Sequence, residues 1–504
     1  MNADSSSFCG RESSILVMEK VREILGDAFD DLADETYVKD GVSRASECEK
    51  NGDECEKMEP LTHIGLAWRP EKIQKITERC SGCAKCRGTE SSCRACPVFR
   101  YDCSEFSSPR AKANLMAGLV SETLDVTELG DDAFRFIMNQ CIQCHSCRIE
   151  CASGVDVPYL VRCAKESWAK AHGLDFYETS LVRLDLWVKR FHRFPYLANL
   201  AFSTGWLRWL IEKSFGISRE RTIPKLETRS FLEKLQKNPT LLAPNPFETP
   251  VSEHPVFLDN TTGIQGKAVY FVDTYANHFD SSVARSVLQV FQHNNVPLVV
   301  PQHQDGSGIT AVMLGRSDYV KTQVYRNAAI LADYVRQGYD VVVSEPAAAL
   351  AFRWEFPQTY PENEDIELVA RHCFEVSEYL YKLHVDQLLK IPKLRRELRV
   401  GYHASCRLRA LKIGAPSTHL LRLIPGLELI QSPHGCCGMG GFYGMLAKNY
   451  SASLKIGRPL QAWMRDPTIQ LGATECSACR IQMMHKNTKS VLHPIRILAQ
   501  AYGL

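Results

Sequence analysis

The sequence predicts a multidomain protein: a mostly helical, cysteine-rich domain, then a helical segment, then an α/β domain present in two copies. Three observations carry this reading. Cysteines recur at i, i+3 and i+6 in "CSGCAKCRGTESSCRACP" and in "CIQCHSCRIECASGVDVP". Apolar runs such as "AVYFV" and "DVVVS" alternate with helical stretches such as "YVKTQVYRNAAILADYVRQG", the pattern of parallel strands joined by crossover helices. Residues 401–480 also share a frame with residues 267–350. The expected divisions are an N-terminal helix and acidic linker (1–70), the cysteine-rich helical domain (71–170), an amphipathic helical connector (171–260) and the two α/β copies (261–395 and 396–504).

Composition narrows the function. The 504 residues carry 60 Lys+Arg and 58 Asp+Glu, a formal charge of +2, and no dense basic run, so nucleic acid is not an expected partner. "MNADSSSFCGRESS" lacks the basic start and apolar core of a secretory signal, and no apolar run approaches the ~20 residues of a membrane span. The expected location is the cytoplasm. In such a chain, 20 cysteines point to metal or redox sites rather than to disulfides.

Residues 12–35 place Ile15, Val17, Val21, Ile24 and Leu25 toward one side of an amphipathic helix. Residues 41–60 are polar and mostly acidic and read as a flexible linker, with Cys48 and Cys55 as exposed thiols. The first cysteine run follows, with Cys80, Cys83 and Cys86 and then Cys96-Pro97. The second has Cys141, Cys144, Cys147 and Cys151. Three cysteines at this spacing wrap one iron–sulfur cluster as the backbone turns, whereas zinc takes separated pairs. In two-cluster ferredoxins the fourth cysteine of each run ligates the other cluster. One [4Fe-4S] cluster is therefore expected on Cys80, Cys83, Cys86 and Cys151, and a second on Cys141, Cys144, Cys147 and Cys96. Cys93 competes with Cys96, and the proline after Cys96 favours the latter. Cys103 and Cys163 have no partner at ligand spacing and read as small buried residues. Between the runs, "SPRAKANLMAGLV" (Ser108 to Val120) opens with Ser-Pro and predicts a helix packed between the clusters.

These segments, "CSGCAKCRGTESSCRACPVFR", "SSPRAKANLMAGL" and "CIQCHSCRIECASGVDVP", resemble the dicluster ferredoxin part of the iron–sulfur subunits of flavin-linked dehydrogenases. That family includes the iron–sulfur subunits of glycerol-3-phosphate dehydrogenase and of glycolate oxidase.

In the second α/β copy, Cys406 is followed after 29 residues by Cys436-Cys437-Gly438 and after a further 38 by Cys476-x2-Cys479. In the first copy, Thr274 to Gly306 spans 31 residues and Ser307 to Glu345 spans 37; "GSG" stands where Cys-Cys-Gly stands, and "EPAA" where "CSAC" stands. One copy has kept the scaffold without the ligands. Adjacent thiolates on a sharply turned loop can reach different irons of one cluster, and the glycines of "CCGMGGFYG" permit positive φ and a close approach. This copy resembles the CCG cysteine-rich domain shared by the same family and by the cysteine-rich subunit of heterodisulfide reductase. The resemblance implies a third iron–sulfur cluster, of non-cubane [4Fe-4S] type, on Cys406, Cys436, Cys437, Cys476 and Cys479. It also implies FAD on a partner dehydrogenase subunit and quinone as electron acceptor. No flavin-binding segment or catalytic base is legible, so the chain reads as a non-catalytic electron-transfer subunit of an oxidoreductase complex. Two alternatives are a thiol–disulfide catalyst like heterodisulfide reductase and a metal-stabilised assembly subunit. His403 and His493 read as structural.

Residues 171–230 hold ten Lys/Arg against six Asp/Glu. Leu181, Leu184, Val188 and Phe191 share one helical face, as do Trp206, Leu207, Leu210 and Ile211, with Arg208 and Lys213 opposite. This segment predicts either packing between domains or peripheral contact with a membrane surface, for which four excess charges offer ~4 kcal/mol.

Overall fold

The computed structural model describes residues 69–89, 95–124, 132–237, 263–393 and 395–504. The expected helix at 12–35, the linker at 41–60 and Cys48, Cys55 and Cys93 lie outside them. The chain forms two compact units with the boundary between Leu174 and Asp175.

The described part of the first unit is helical. Helices Pro70–Thr77, Pro97–Asp102 and Pro109–Val120 each begin at a proline, whose missing N–H costs nothing in a first turn. Ser108 caps the third of these, its Oγ accepting from Ala111 N at 3.0 Å, as "SPRA" predicts. Helix Pro109–Val120 packs on Pro70–Thr77 and on Val157–His172. Ile73, Leu115, Met116, Phe134, Ile137 and Leu160 fill the core between these helices and Asp132–Asn139.

The second unit contains two parallel four-stranded sheets. Strands β1 (Ala268–Phe271), β2 (Leu298–Val299), β3 (Asp340–Val343) and β4 (Cys373–Glu375) lie in the order β2-β1-β3-β4. Strands β5 (Leu398–Tyr402), β6 (Leu427–Gln431), β7 (Leu471–Ala473) and β8 (Val491–Leu492) lie in the order β6-β5-β7-β8, the same layout displaced by four. The runs "AVYF" and "DVVV" pair with each other residue by residue, Ala268 opposite Asp340 through Phe271 opposite Val343, and are buried throughout. Both sheets share one apolar core in which Tyr270, Val342 and Tyr379 join Val400, Tyr402 and Leu498.

The connector folds with this second unit as helices Phe176–Val182, Leu184–Phe191, Pro195–Ser203 and Gly205–Phe215. Of the face expected at Leu181, Leu184, Val188 and Phe191, Leu181 and Val188 are buried, Leu184 is half-buried and Phe191 is exposed. The last helix is turned the other way from the expectation. Arg208 is buried, with Nη2 donating to the carbonyls of Ser218 and Arg221 at 2.6 Å, while Trp206 and Trp209 are 68% and 48% exposed. The cause is the uncovered turn at Ser218–Arg221, whose carbonyls need a donor. Among the described residues, no helix is long and apolar enough to cross a membrane.

Candidate iron–sulfur sites

Both cysteine runs of the first unit make the same turn. Gly82 and Gln143, just before the middle cysteines, have φ of 69° and 53°; Ala84 and His145, just after them, have 54° and 58°. Three of these four are not glycine, so the left-handed backbone is held against a cost of roughly 1–2 kcal/mol per residue. Repeated positive φ gives both runs the same curled backbone.

Within each run several thiols are electrostatic neighbours. Cys147 interacts electrostatically with Cys144, Cys141 and Cys96, and burial first, then these neighbours, push its thiol well above the usual range. Cys96 in turn lies close to Cys141. It caps helix Pro97–Asp102, with Sγ accepting from Phe99 N at 3.4 Å, so the proline after it starts a helix rather than only diverting the chain. In the first run Cys86 lies near Cys80 and Cys83, and burial ahead of these neighbours raises it to about 11. Ser81 Oγ meets Ser153 Oγ at 3.0 Å and Arg79 Nη1 donates to the Gly154 carbonyl at 3.5 Å, which brings the start of this run against the turn after Cys151.

Gln143 is 2% exposed and neither end of its amide is hydrogen-bonded, the kind of orphaned group that a cluster between Cys141 and Cys144 would satisfy. Cys163 is a core residue of helix Val157–His172, as expected. Cys103 is not: it is exposed, at φ 57°, because it ends helix Pro97–Asp102 in a left-handed turn.

In the second α/β copy, the five cysteines stand beyond the C-terminal edge of one sheet: Cys406 opens the helix after β5, Cys436 and Cys437 lie on the loop after β6, and Cys476 caps, and Cys479 lies in, the helix after β7. Cys479 Sγ donates to Cys437 Sγ at 3.2 Å. Hydrogen bonding to Cys437 and Cys476, then burial, pushes the Cys479 thiol well up. The Cys436 sulfur accepts from Gly438 N at 3.3 Å. Met439, Met445, Met464 and Met483 line the apolar setting of Cys437, Cys476 and Cys479. Soft sulfur donors gathered beyond one sheet edge suit a thiophilic metal group, an iron–sulfur cluster among them.

Gly438 has φ 83°, and a Cβ there would overlap the Ser453 carbonyl; one at Gly457 would overlap the Cys437 carbonyl. The close approach at these glycines is therefore loop against helix Ala447–Met464. Arg221, for which the sequence analysis gives no role, holds this contact. It is 1% exposed; Nε donates to the Gly444 carbonyl at 2.7 Å, Nη2 to Ser453 Oγ at 2.7 Å, and Nη1 to Gln482 Oε1. Ser218 N to the Met445 carbonyl and Ala447 N to the Gly216 carbonyl, both 2.8 Å, pair the two segments like strands.

The first copy places other chemistry on the same frame. Cys476 and Glu345 each head the helix that follows the third strand of their sheet. Thr274 opens a helix after β1 as Cys406 does after β5. Asp273 Oδ1 accepts from Ser307 N at 2.9 Å, so a carboxylate and a hydroxyl stand at the corresponding edge. His403 is fully buried, and burial ahead of Arg409 holds it at about 3; His493 caps the last helix, its Nδ1 accepting from Ile495 N at 3.1 Å.

Fold and sites together define a cysteine-rich α/β protein with a helical thiol-bearing unit. The family model "CCG: Cysteine-rich domain" matches residues 400–484, the copy that bears the thiols. A subunit of the anaerobic glycerol-3-phosphate dehydrogenase of Escherichia coli is 24% identical over 309 residues, 61% of this chain and 72% of that protein. Lactate utilization protein A 1 of Bacillus mycoides is 24% identical over 36% of this chain and 73% of its own length. D-2-hydroxyglutarate dehydrogenase of Pseudomonas putida is 21% identical over 72% of this chain but only 34% of that longer protein. Residues 400–484 are a CCG cysteine-rich domain, and the chain is similar to a subunit of the anaerobic glycerol-3-phosphate dehydrogenase and to a lactate utilization protein.

Proposed function

We propose that this chain is the iron–sulfur electron-transfer subunit of an FAD-dependent dehydrogenase of the glycerol-3-phosphate, glycolate or lactate type, standing between the flavin subunit and quinone. The observation that carries the reading is the position of Cys96 among Cys141, Cys144 and Cys147, as the exchange of fourth ligands between paired clusters requires. Cys80, Cys83, Cys86 and Cys151 would hold the other [4Fe-4S] cluster, and Cys406, Cys436, Cys437, Cys476 and Cys479 a third. Such clusters supply one-electron transfer when bound. The chain's own contribution is to release thiol protons as ligands form, to exclude water with the methionine wall, and to fix each loop. Peripheral membrane docking belongs to the same reading: Phe194, Tyr196, Leu197, Leu200, Trp206 and Trp209 form an exposed apolar set on the connector helices.

The test is quinone reduction by Cys437→Ser protein assembled with its flavin partner. Substrate should still reduce the flavin while quinone reduction is lost; a normal quinone rate refutes the relay. In the isolated chain, Cys96→Ser should lose a cluster signal and Cys93→Ser should not, and zinc in place of iron would refute the ligand reading outright.

A further inference from the structure

Helix Pro109–Val120 carries two cations near its start, and they serve different thiol sets. Residues at i and i+2 point about 200° apart around a helix, so Arg110 and Lys112 leave opposite sides. Arg110 interacts with Cys86 of the first run, and its guanidinium is already paired: Nη2 meets Glu105 Oε1 at 3.2 Å, and Glu105 also pairs with Arg87 at 2.7 Å. Lys112 is 2% exposed. Its Nζ donates to the Phe106 carbonyl at 3.0 Å and the Ser108 carbonyl at 3.3 Å, while the Cys96 thiol touches the intervening Ser107 carbonyl at 3.9 Å. Burial is the largest influence on its amine and lowers it; the charge interactions that oppose burial are with Cys96, Cys141 and Cys147, ahead of Glu105.

We propose that Lys112 is the fixed counter-charge of the Cys96, Cys141, Cys144 and Cys147 set, and that it raises the reduction potential of the cluster held there above that of the cluster on Cys80, Cys83, Cys86 and Cys151. This rests on the ligand assignment given above. A buried ammonium held only by neutral carbonyls is an expensive feature unless negative charge stands beside it. Adding one electron to the neighbouring cluster increases that negative charge, with no bond made and no proton moved, so the ammonium favours the reduced state. Low polarity and burial make the effect strong. At the first set the corresponding cation is already neutralised by Glu105 and bordered by water, so it does little. Electrons entering the pair therefore settle on the second-run cluster.

The experiment is an anaerobic redox titration of the full chain followed by electron paramagnetic resonance, on wild type, Lys112→Gln and Lys112→Arg. Glutamine can still donate to both carbonyls but carries no charge. It should shift the reduction equilibrium of the second-run cluster at least tenfold toward the oxidised form, 59 mV for a one-electron couple, with a much smaller shift at the other. Arginine should keep the wild-type value. Two intact clusters with unchanged potentials in Lys112→Gln overturn the proposal, and so does loss of the cluster in both variants, which marks a packing role. Loss in the glutamine variant alone, with arginine at the wild-type potential, supports the charge. Failure of wild type to show two such clusters would instead strike the ligand assignment.

Discussion

Replacing Arg221 by methionine tests whether the Cys-Cys-Gly loop is held from outside its own domain frame. The substitution removes the donors of three buried acceptors: the Gly444 carbonyl, Ser453 Oγ and Gln482 Oε1. Each unsatisfied buried group costs ~1–3 kcal/mol, and the lost stacking of the guanidinium over Tyr450, 4.8 Å from the ring centre, adds ~1 kcal/mol. Against this, several kcal/mol of guanidinium desolvation is recovered. The net expectation is ~3 kcal/mol of local destabilisation, about 150-fold in an opening equilibrium. Hydrogen–deuterium exchange read by mass spectrometry gives that quantity peptide by peptide. Peptides covering 436–457 should exchange about 150-fold faster, those from 69–174 at the wild-type rate, and Arg221→Lys should fall between. Acceleration under threefold at 436–457, or equal acceleration everywhere, refutes the role assigned to Arg221.

Three further outcomes are expected. Gly457→Ala should push the Cys437 carbonyl off helix Ala447–Met464 at a cost of roughly 1–3 kcal/mol, seen as lower iron content in the C-terminal site with the first-unit clusters retained; wild-type iron loading would contradict the packing. Burial, and then His192, hold the His278 imidazole down at about 3. A folded-state pKa below the unfolded one means stability present above about pH 6.5 and lost as pH falls toward 3, so about 1.4 kcal/mol should disappear by pH 5.5, and His278→Gln should remove that slope in denaturant midpoints compared at pH 7.5 and 5.5. Trp206→Glu with Trp209→Glu should abolish flotation with anionic vesicles while leaving cluster signals intact; unchanged flotation would remove these residues from any membrane role.

What could be read from the sequence follows the range of the interactions involved. The cysteine runs are local: the close spacing of Cys80, Cys83 and Cys86 and of Cys141, Cys144 and Cys147 is matched by the same positive-φ turn at Gly82 and Ala84 and at Gln143 and His145. Strands β1 and β3 are legible because both of their faces are covered and they read as continuous apolar runs. Arg208 and Arg221 were illegible for the opposite reason. "GISRERTIPK" looks like a solvated loop, and the acceptors that bury Arg221 stand more than 200 positions away. Helical periodicity likewise placed Arg208 on a solvent face, because the turn it serves has no signature of its own. The direction of the Trp206 face depends on the nearby Ser218 and Arg221 carbonyls that Arg208 serves.

The first α/β copy lacks thiols at the positions of Cys406 and Cys476, yet the second copy leans on it where its own thiols are carried. Ser477 N, at the head of the helix bearing Cys479, donates to Glu345 Oε2 at 3.0 Å. Arg480, one residue past Cys479, pairs with Asp280, which Arg496 also reaches at 3.5 Å. His493, after β8, stands 3.0 Å from the Ser344 carbonyl. Each contact joins an element following β7 or β8 to the C-terminal edge of the first sheet or the helix beyond it. Glu345 shows why the copy can lose its ligands and still be needed. Burial first raises its carboxyl to about 7, and its hydrogen bond to the Ser477 amide fastens the start of the helix that carries Cys479. One apolar core spans both sheets, so the first copy completes that part of the second copy's interior, beside the second copy's own cluster around Met439, Met464 and Met483. Retention of a scaffold without ligands is then what the packing demands: the first copy acts as the wall against which the thiol-bearing loops are set.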